Sequence, residues 1–343
     1  MNSRKLVRAL PALVLASACD IPTQLPIWDM TWNVPVKSTT IAVTSFLPAG
    51  ITLGPNNTFA VTAPPLTQSL SCGLCIGTAP KPGFVVTIAD SSTLPTTFTS
   101  GTLAGGSVIS VQITNNFGFD PIRAPAAASN GWLRIVVSNG GVSIGRDSIN
   151  GATGALPPGV TTRIIPVSGT VVGSKRVAVS VTLDSPAGTN PVTMNPGSSI
   201  GIIATPNVLV SSATVSLASP TSVNSSVGFD LASIDSAITS RVNAATLLLD
   251  ITNPMSVGGN LTATFSGGEF PVAKPLTLDP GGTGSPMTKK SIALSGAEIR
   301  ALLGHDITMT IGGGVSGSNV AVTPASAVSV SVRLQLNMST TAQ

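Results

Sequence analysis

Tyrosine is absent from this 343-residue chain, aromatic residues amount to 3%, and only 9% of residues are charged. There is one histidine, His305, and there are three cysteines, Cys19, Cys72 and Cys75. Each shortage excludes something. With so few aromatics, an exposed aromatic platform for sugars has little to be built from. An outer-membrane barrel, whose interfaces carry Trp and Tyr girdles, is disfavoured for the same reason. A chemistry that depends on histidine has only His305 to use. No G-x-S-x-G elbow, P-loop or dinucleotide fingerprint is present. Asp230, Asp235 and Asp250 are too few and too spread for a calcium loop. No cofactor or metal is therefore expected, and no catalytic residue is assigned.

The low charge also removes nucleic acid as a partner. The chain holds 17 basic and 13 acidic residues. Three of the basic ones, Arg4, Lys5 and Arg8, lie in the first eight positions. Without them the balance is 14 against 13, which leaves no basic stripe for a phosphate backbone or an anionic bilayer.

Those three cations open a secretory signal over residues 1–18. They form its positive end, and Leu10 to Ala18 is a short apolar run closed by small residues. The run falls short of the roughly 20 apolar residues that a membrane-spanning helix needs. Two cleavages are compatible with it. Ala16-Ser17-Ala18 suits ordinary signal peptidase. The same residues followed by Cys19 resemble the bacterial lipobox, with Ala16 where that motif prefers Leu. Cysteine arithmetic favours the second, because Cys72 and Cys75 form a natural pair and an ordinary cut strands Cys19 as an odd thiol in an oxidising compartment. Cys19 is the expected lipidation site, and the membrane is the expected partner through that lipid. Other envelope proteins are the further candidates.

Cys72-Gly73-Leu74-Cys75 has three readings: a redox dithiol, half of a zinc site, or a tight disulfide. Nothing around it reads as the helix N-terminus that lowers a redox thiol's pKa. A zinc site lacks its second pair, since only His305 remains. The structural disulfide Cys72–Cys75 is the expected state.

What is abundant is Gly, Ser, Thr, Val and Ala in strand-like alternation. Ile109, Val111 and Ile113 alternate with polar residues, as do Val177 to Leu183 and Val328 to Leu336. Trp132–Val137 reads as a central strand. Gly, Pro and Asn turns recur between the strands, as in sandwiches. Helix signals are rare. Ser295-Gly296-Ala297-Glu298 is a capping box, with Leu294 and Ile299 as a hydrophobic staple and Gly304 as the stop. A weaker helix is expected over about Ser233–Val242. The fold class is thus all-β, with tandem antiparallel β-sandwich domains and one or two short helices.

The two halves repeat. Ser110 to Asn116 matches Leu248 to Pro254, and Leu156-Pro157-Pro158-Gly159 matches Leu278-Asp279-Pro280-Gly281. Ile165 to Gly169 matches Ile292 to Gly296, and Val192-Thr193 falls opposite Val322-Thr323. The expected division is a signal peptide (1–18), a lipid-anchored Pro-rich spacer (19–36), a first sandwich (37–218) and a second (219–343) that duplicates about 84–205. An exposed hinge is expected around Ser219–Asn224. Trp28 and Trp32, in the spacer, could pack on the first domain, bind a partner or lie at the lipid interface, and packing is the expected role.

A strand ending Ile251-Thr252-Asn253-Pro254, then a second strand, then a Pro-Gly turn before a third, resembles the late-embryogenesis-abundant type 2, or WHy, domain. The first copy departs from it with Asn116 in place of Pro. The resemblance implies a small antiparallel sandwich and transfers no catalytic residue. The start of the chain, with Cys19 and the Trp28-Asp29-x-x-Trp32 stretch, is similar to that of bacterial envelope lipoproteins, which implies the extracytoplasmic envelope, the outer membrane before the inner. A non-enzymatic structural or binding module is the leading functional reading. A carrier of a lipid or other apolar ligand between the sheets is the alternative, and a secreted hydrolase the third.

Overall fold

Alternating Val/Ile and Thr/Ser place one apolar face on each strand, and such a face is stable only when another sheet covers it. The computed structural model describes residues 28–71, 77–123, 130–194, 197–282, 284 and 287–340, and in it that requirement is met twice. The chain opens with β1 (Trp28–Asn33), β2 (Lys37–Ala42), a 3-10 turn (Val43–Phe46), β3 (Ile51–Gly54), β4 (Thr58–Thr62) and β5 (Leu66–Ser71). It continues through β6 (Gly77–Pro80), β7 (Phe84–Ser92), β8 (Phe98–Leu103), β9 (Val108–Asn115), β10 (Trp132–Asn139) and β11 (Val142–Asn150). Next come β12 (Gly159–Pro166), β13 (Thr170–Val172), β14 (Val177–Ser185), β15 (Pro191–Met194), β16 (Ser199–Thr205) and β17 (Asn207–Asp230). The last part holds α1 (Ser236–Thr239), β18 (Val242–Thr252), β19 (Gly258–Ser266), β20 (Val272–Leu278), β21 (Thr288–Ser295), α2 (Gly296–Leu302), β22 (Asp306–Val322) and β23 (Ala327–Thr340).

In the first sandwich, the sheet β11-β10-β14-β7 opposes the sheet β12-β9-β16-β5. Ile109, Val111 and Ile113 of β9, Leu133, Ile135 and Val137 of β10, and the odd-numbered positions 177–183 of β14 are all buried. The second sandwich repeats the arrangement strand for strand. The order β20-β19-β22-β17 corresponds to β11-β10-β14-β7, and β21-β18-β23, edged by β1 and β2, corresponds to β12-β9-β16-β5. Registers agree as well: Ile165 pairs with Ile109 in the first copy, and Ile292 pairs with Leu247 in the second. The fully antiparallel tandem-sandwich fold is the one the alternation predicts.

Several boundaries differ from the sequence expectation. Residues 28–33 are an edge strand paired with the end of β23, Trp28 opposite Thr340 and Asn33 opposite Gln335, rather than a spacer. β2 pairs with the same strand, Lys37 opposite Val332, so it belongs to the second sandwich and not the first. From residue 28 on, the chain therefore starts in the second sandwich, builds the first, and returns. Strand pairing across 300 residues leaves no local sequence signal, which is why Pro22, Pro26 and Pro35 suggest a spacer.

The hinge expected at Ser219–Asn224 lies inside β17, which is 24 residues long. At about 3.3 Å per residue such a strand spans roughly 70–80 Å. Its first half pairs with β4 and β8, and its remainder pairs with β22. Pro220 is accommodated by a bulge. Leu217 lies opposite Gly317 and Thr221 opposite Val315, so four residues advance on one strand while two advance on the other. A proline, with no N–H for the ladder, fits at such an irregularity. β17 is thus one strand shared by the two sandwiches.

The capping box of α2 is formed as expected. Ser295 Oγ accepts from Glu298 N, and Glu298 Oε2 accepts from Ser295 N at 2.8 Å. Gly304 closes the helix at φ +81°, a left-handed value that glycine adopts freely. The weaker helix is one turn only, with Asp235 as its N-cap, and Val242 already begins a strand. The Val192/Val322 match is not a structural equivalence: Val192 lies on β15, which pairs with β6, whereas Val322 ends β22 opposite Ala213.

Candidate functional site

The residues expected to carry chemistry do not converge. Cys19, Cys72 and Cys75 lie outside the described residues. His305 is half-buried in the turn between α2 and β22, at the foot of the second sandwich. Asp235 is committed to capping α1 through Ala237 N (2.7 Å), and Asp230 accepts from Ser233 N (3.2 Å). Asp250 faces outward on β18, opposite Lys289 and Ser331. Among the described residues no group of three or more His, Cys, Asp and Glu could hold a metal.

Two buried polar centres are built with care instead. In each sandwich an asparagine follows the Ile-Thr pair at the end of the strand. Asn115 is 1% exposed, and its Nδ2 donates to Phe119 O (2.9 Å) and Leu156 O (2.8 Å) while its Oδ1 accepts from Phe117 N (2.9 Å). Asn253 is 5% exposed, and its Nδ2 donates to Val257 O (2.8 Å) and Asp279 O (2.9 Å) while its Oδ1 accepts from Met255 N (3.1 Å). Both NH2 groups have both donors engaged and both oxygens are bonded, so these are structural pins that tie the turn after the strand to the loop before β12 or β21. In the second copy a Cβ on Gly281 would stand 1.8 Å from Asn253 O, so only glycine fits there. The sequence signal was available, because the repeated Ile-Thr-Asn places the two asparagines in register.

Lys81 had no sequence signal. It sits between Pro80 and Pro82 after β6, is 2% exposed, and donates through Nζ to Pro121 O and Pro186 O, both at 2.7 Å. Burial holds its ammonium below the ordinary lysine range, partly offset by the carboxylates of Asp120 and Asp184. Asp120 in turn accepts from Ile122 N and Leu156 N, both at 3.0 Å. Lys81 thereby fastens three loops at one end of the first sandwich. An open depression of about 520 Å3 lies over it, lined also by Phe119, Arg123, Asn130 and Val192. With two acceptors already at Nζ, Lys81 acts as a cross-link and not as a free nucleophile.

A second depression, of about 390 Å3, lies on the bridging sheet between the sandwiches, with hydroxyls of Ser100, Thr102, Thr170, Ser212 and Thr214 on its walls. Its lining carries no charge. Between the sheets of the second sandwich, among the described residues, a cavity of only about 10 Å3 is bounded by Phe229, Leu247, Phe265 and Leu334 among others.

Against this geometry, no known family model matches the chain. No curated protein matches it either. Among solved structures it is similar to a protein of Parabacteroides distasonis thought to be secreted, at 10% identity over 90% of this chain and 99% of that one, with a TM-score of 0.32. A structure of broad bean stain virus follows at 9% identity over 85% and 93% of the two chains, with a TM-score of 0.21. The tandem CBM22 domains of a Paenibacillus barcinonensis protein share 9% identity over 78% and 97%, with a TM-score of 0.18. Likenesses this small carry nothing about activity or ligand.

Proposed function

We propose that this protein is a lipid-anchored envelope module, held by Cys19 after removal of residues 1–18, that acts by structure and binding and not by catalysis. The observation that carries the reading over a carrier is the packing of the second sandwich, where the cavity bounded by Phe229, Leu247, Phe265 and Leu334 has only about 10 Å3, too small for an apolar ligand. The buried hydrogen bonds of Asn115, Asn253 and Lys81 support a rigid scaffold in the same way. The signal-like first 18 residues and the lipobox-like end support the location, and the low charge fits a module that does not recruit polyanions. No helix among the described residues is long and apolar enough to cross a membrane. The WHy resemblance supports the tandem-module reading and adds no site.

Cys19→Ser is the test. Expressed in a Gram-negative host, the parent chain should fractionate with membranes and show an intact mass with acyl chains on residue 19. The variant should leave the membrane fraction with its thermal transition unchanged. Membrane retention of the variant, or a parent mass without lipid, overturns the anchor.

A further inference from the structure

Because the first described strand belongs to the C-terminal sandwich, the segment that follows residue 19 enters that sandwich first. Cys19 precedes Trp28 by nine residues, and nine residues reach at most about 32 Å whatever their conformation. Trp28 pairs with Thr340 at the far end of β23. That end of the second sandwich also carries α1, α2 and the β19–β20 turn, as a chain of contacts shows. Met30 lies opposite Met338, Met338 opposite Val242, and Val242 O accepts from Arg300 Nη1 in α2 (3.1 Å). Ala301 O of the same helix accepts from Glu269 N in the β19–β20 turn (2.9 Å). β17 finishes at this end too, with Asp230 opposite Asp306. The first sandwich is joined to the other end of β17.

Met30, Trp32 and Phe270 are left partly uncovered at the end near the anchor, while exposed aliphatic side chains such as Val85, Val142, Val160 and Ile164 stand along the strands of the first sandwich. Trp32 lies opposite Leu336, and Leu336 is fully buried, so Met30 and Trp32 are on the inner face of their sheet. They are nevertheless 54% and 39% exposed, on an edge strand paired on one side only. Phe270, at the tip of the β19–β20 turn, is 45% exposed. The charges around them are mainly acidic: Asp29, Asp230, Asp235, Glu269 and Asp306, against Arg241 and Arg300, all exposed.

We propose that this end of the second sandwich rests on the lipid bilayer, with Met30, Trp32 and Phe270 entering the interface, and that the first sandwich is the outward-facing unit. The proposal rests on the lipid-anchor reading for the tether that brings this end to the surface. Indoles favour the headgroup level, where an apolar ring meets water. Five carboxylates against two guanidinium groups rule out electrostatic attraction to anionic lipid, so the contact is apolar and belongs to a zwitterionic surface. β17 keeps the two ends apart, since it runs between them as one strand whose ladder to β22 shifts register on both sides of Leu217.

Tryptophan quenching tests this directly, because the three tryptophans divide between the ends: Trp28 and Trp32 near the anchor, and Trp132 on β10 of the first sandwich. The full chain purified from membranes is reconstituted into vesicles of phosphatidylcholine brominated in its acyl chains. A Trp28→Phe, Trp132→Phe chain, which keeps only Trp32, should lose fluorescence by about twofold relative to unbrominated vesicles, as expected for an interfacial indole. A Trp28→Phe, Trp32→Phe chain, which keeps only Trp132, should be unaffected. Adding Met30→Ser and Phe270→Ser to the first chain should abolish its quenching, and so should replacing half of the lipid by an anionic one. An unquenched Trp32 in a chain whose mass shows the lipid on Cys19 overturns the proposal and leaves the anchor standing. Equal quenching of Trp132 overturns it too. Quenching of Trp32 in a chain without lipid supports the contact surface and overturns the anchor alone.

Discussion

Thr39 Oγ1 lies 2.6 Å from Ser225 Oγ, a hydrogen bond between residues 186 positions apart. Ser225 Oγ also reaches Thr40 O at 3.1 Å, and Thr39 Oγ1 reaches Ser226 O at 3.1 Å. These contacts join the free edge of β2 to the free edge of β17, so the two sheets of the second sandwich are tied along one side by the N-terminal strands.

A fragment of residues 222–343 should therefore fail to fold cooperatively, although it contains nearly all of one repeat. It lacks β1 and β2, which cover one side of β23 along most of its length. Without them β23 becomes a long open edge, and the apolar row Val328 to Leu336 is poorly sealed. The cure follows from the pairing. Trp28 lies antiparallel to Thr340, so a permutant running 207–340, a short Gly/Ser linker, then 28–46 should restore the edge with a hairpin. Thermal circular dichroism should show a cooperative transition for the permutant and none for the fragment. Equal behaviour of the two refutes the role given to β1 and β2.

The asparagine pins should be comparable in the two copies. Asn115→Ala or Asn253→Ala strands two carbonyls and one N–H in a buried site, which should cost about 2–4 kcal/mol by the expense of unsatisfied buried groups. Asp at either position should be no better, because a carboxylate accepts and cannot donate to the two carbonyls. Denaturant unfolding measures both. A loss below about 0.5 kcal/mol, the level of an ordinary surface change, refutes the reading.

Much of this architecture was legible because it is periodic. The buried rows of β9, β14 and β23 stand where Ile/Val alternate with Ser/Thr, and α2 stands where Ser295 and Glu298 form their box. The duplication was legible from Ile-Thr-Asn, since both copies must place the asparagine at the same strand end. What could not be read is pairing between residues distant in sequence. Nothing near Trp28 names Thr340 as its neighbour, and nothing near Lys81 announces Pro121 and Pro186. Pro220 misleads in the opposite sense: proline and polar residues suggest an exposed link, yet the ladder continues past it because a bulge absorbs the missing N–H.

The α2 cap should make a local contribution that depends on acid. Ser295→Ala removes the acceptor of Glu298 N and should cost about 1 kcal/mol. The Glu298 carboxyl is held below its ordinary value, first by the hydrogen bond from Lys274 and then by Ser295 N. A carboxylate with a depressed folded-state pKa stabilises above its unfolded value and loses that contribution as pH falls through the folded one. The stability gap between the parent and Glu298→Gln should thus be constant near neutrality and shrink below about pH 4.5, the ordinary glutamate range. A gap that stays level from neutrality to pH 3 contradicts the assignment.

Lys81 gives the opposite dependence. Its ammonium is buried and held below the ordinary lysine value, so across the interval between its folded and unfolded pKa values the unfolded chain binds more protons than the native one. Stability must then rise with pH through that interval. The neutral amine keeps two N–H donors, enough for Pro121 O and Pro186 O, so deprotonation removes a buried charge without breaking either bond. Lys81→Met loses both bonds and leaves two buried carbonyls open, a cost of about 1–3 kcal/mol that persists at every pH. The measurement is the difference in unfolding free energy between the parent and Lys81→Met from neutrality up to the ordinary lysine pKa. It should widen with rising pH, because other titrating groups are common to both chains and cancel. A difference that stays flat would mean that Lys81 titrates alike in the folded and unfolded states. A difference that narrows would mean that the ammonium is stabilised by Asp120 and Asp184 more than burial penalises it.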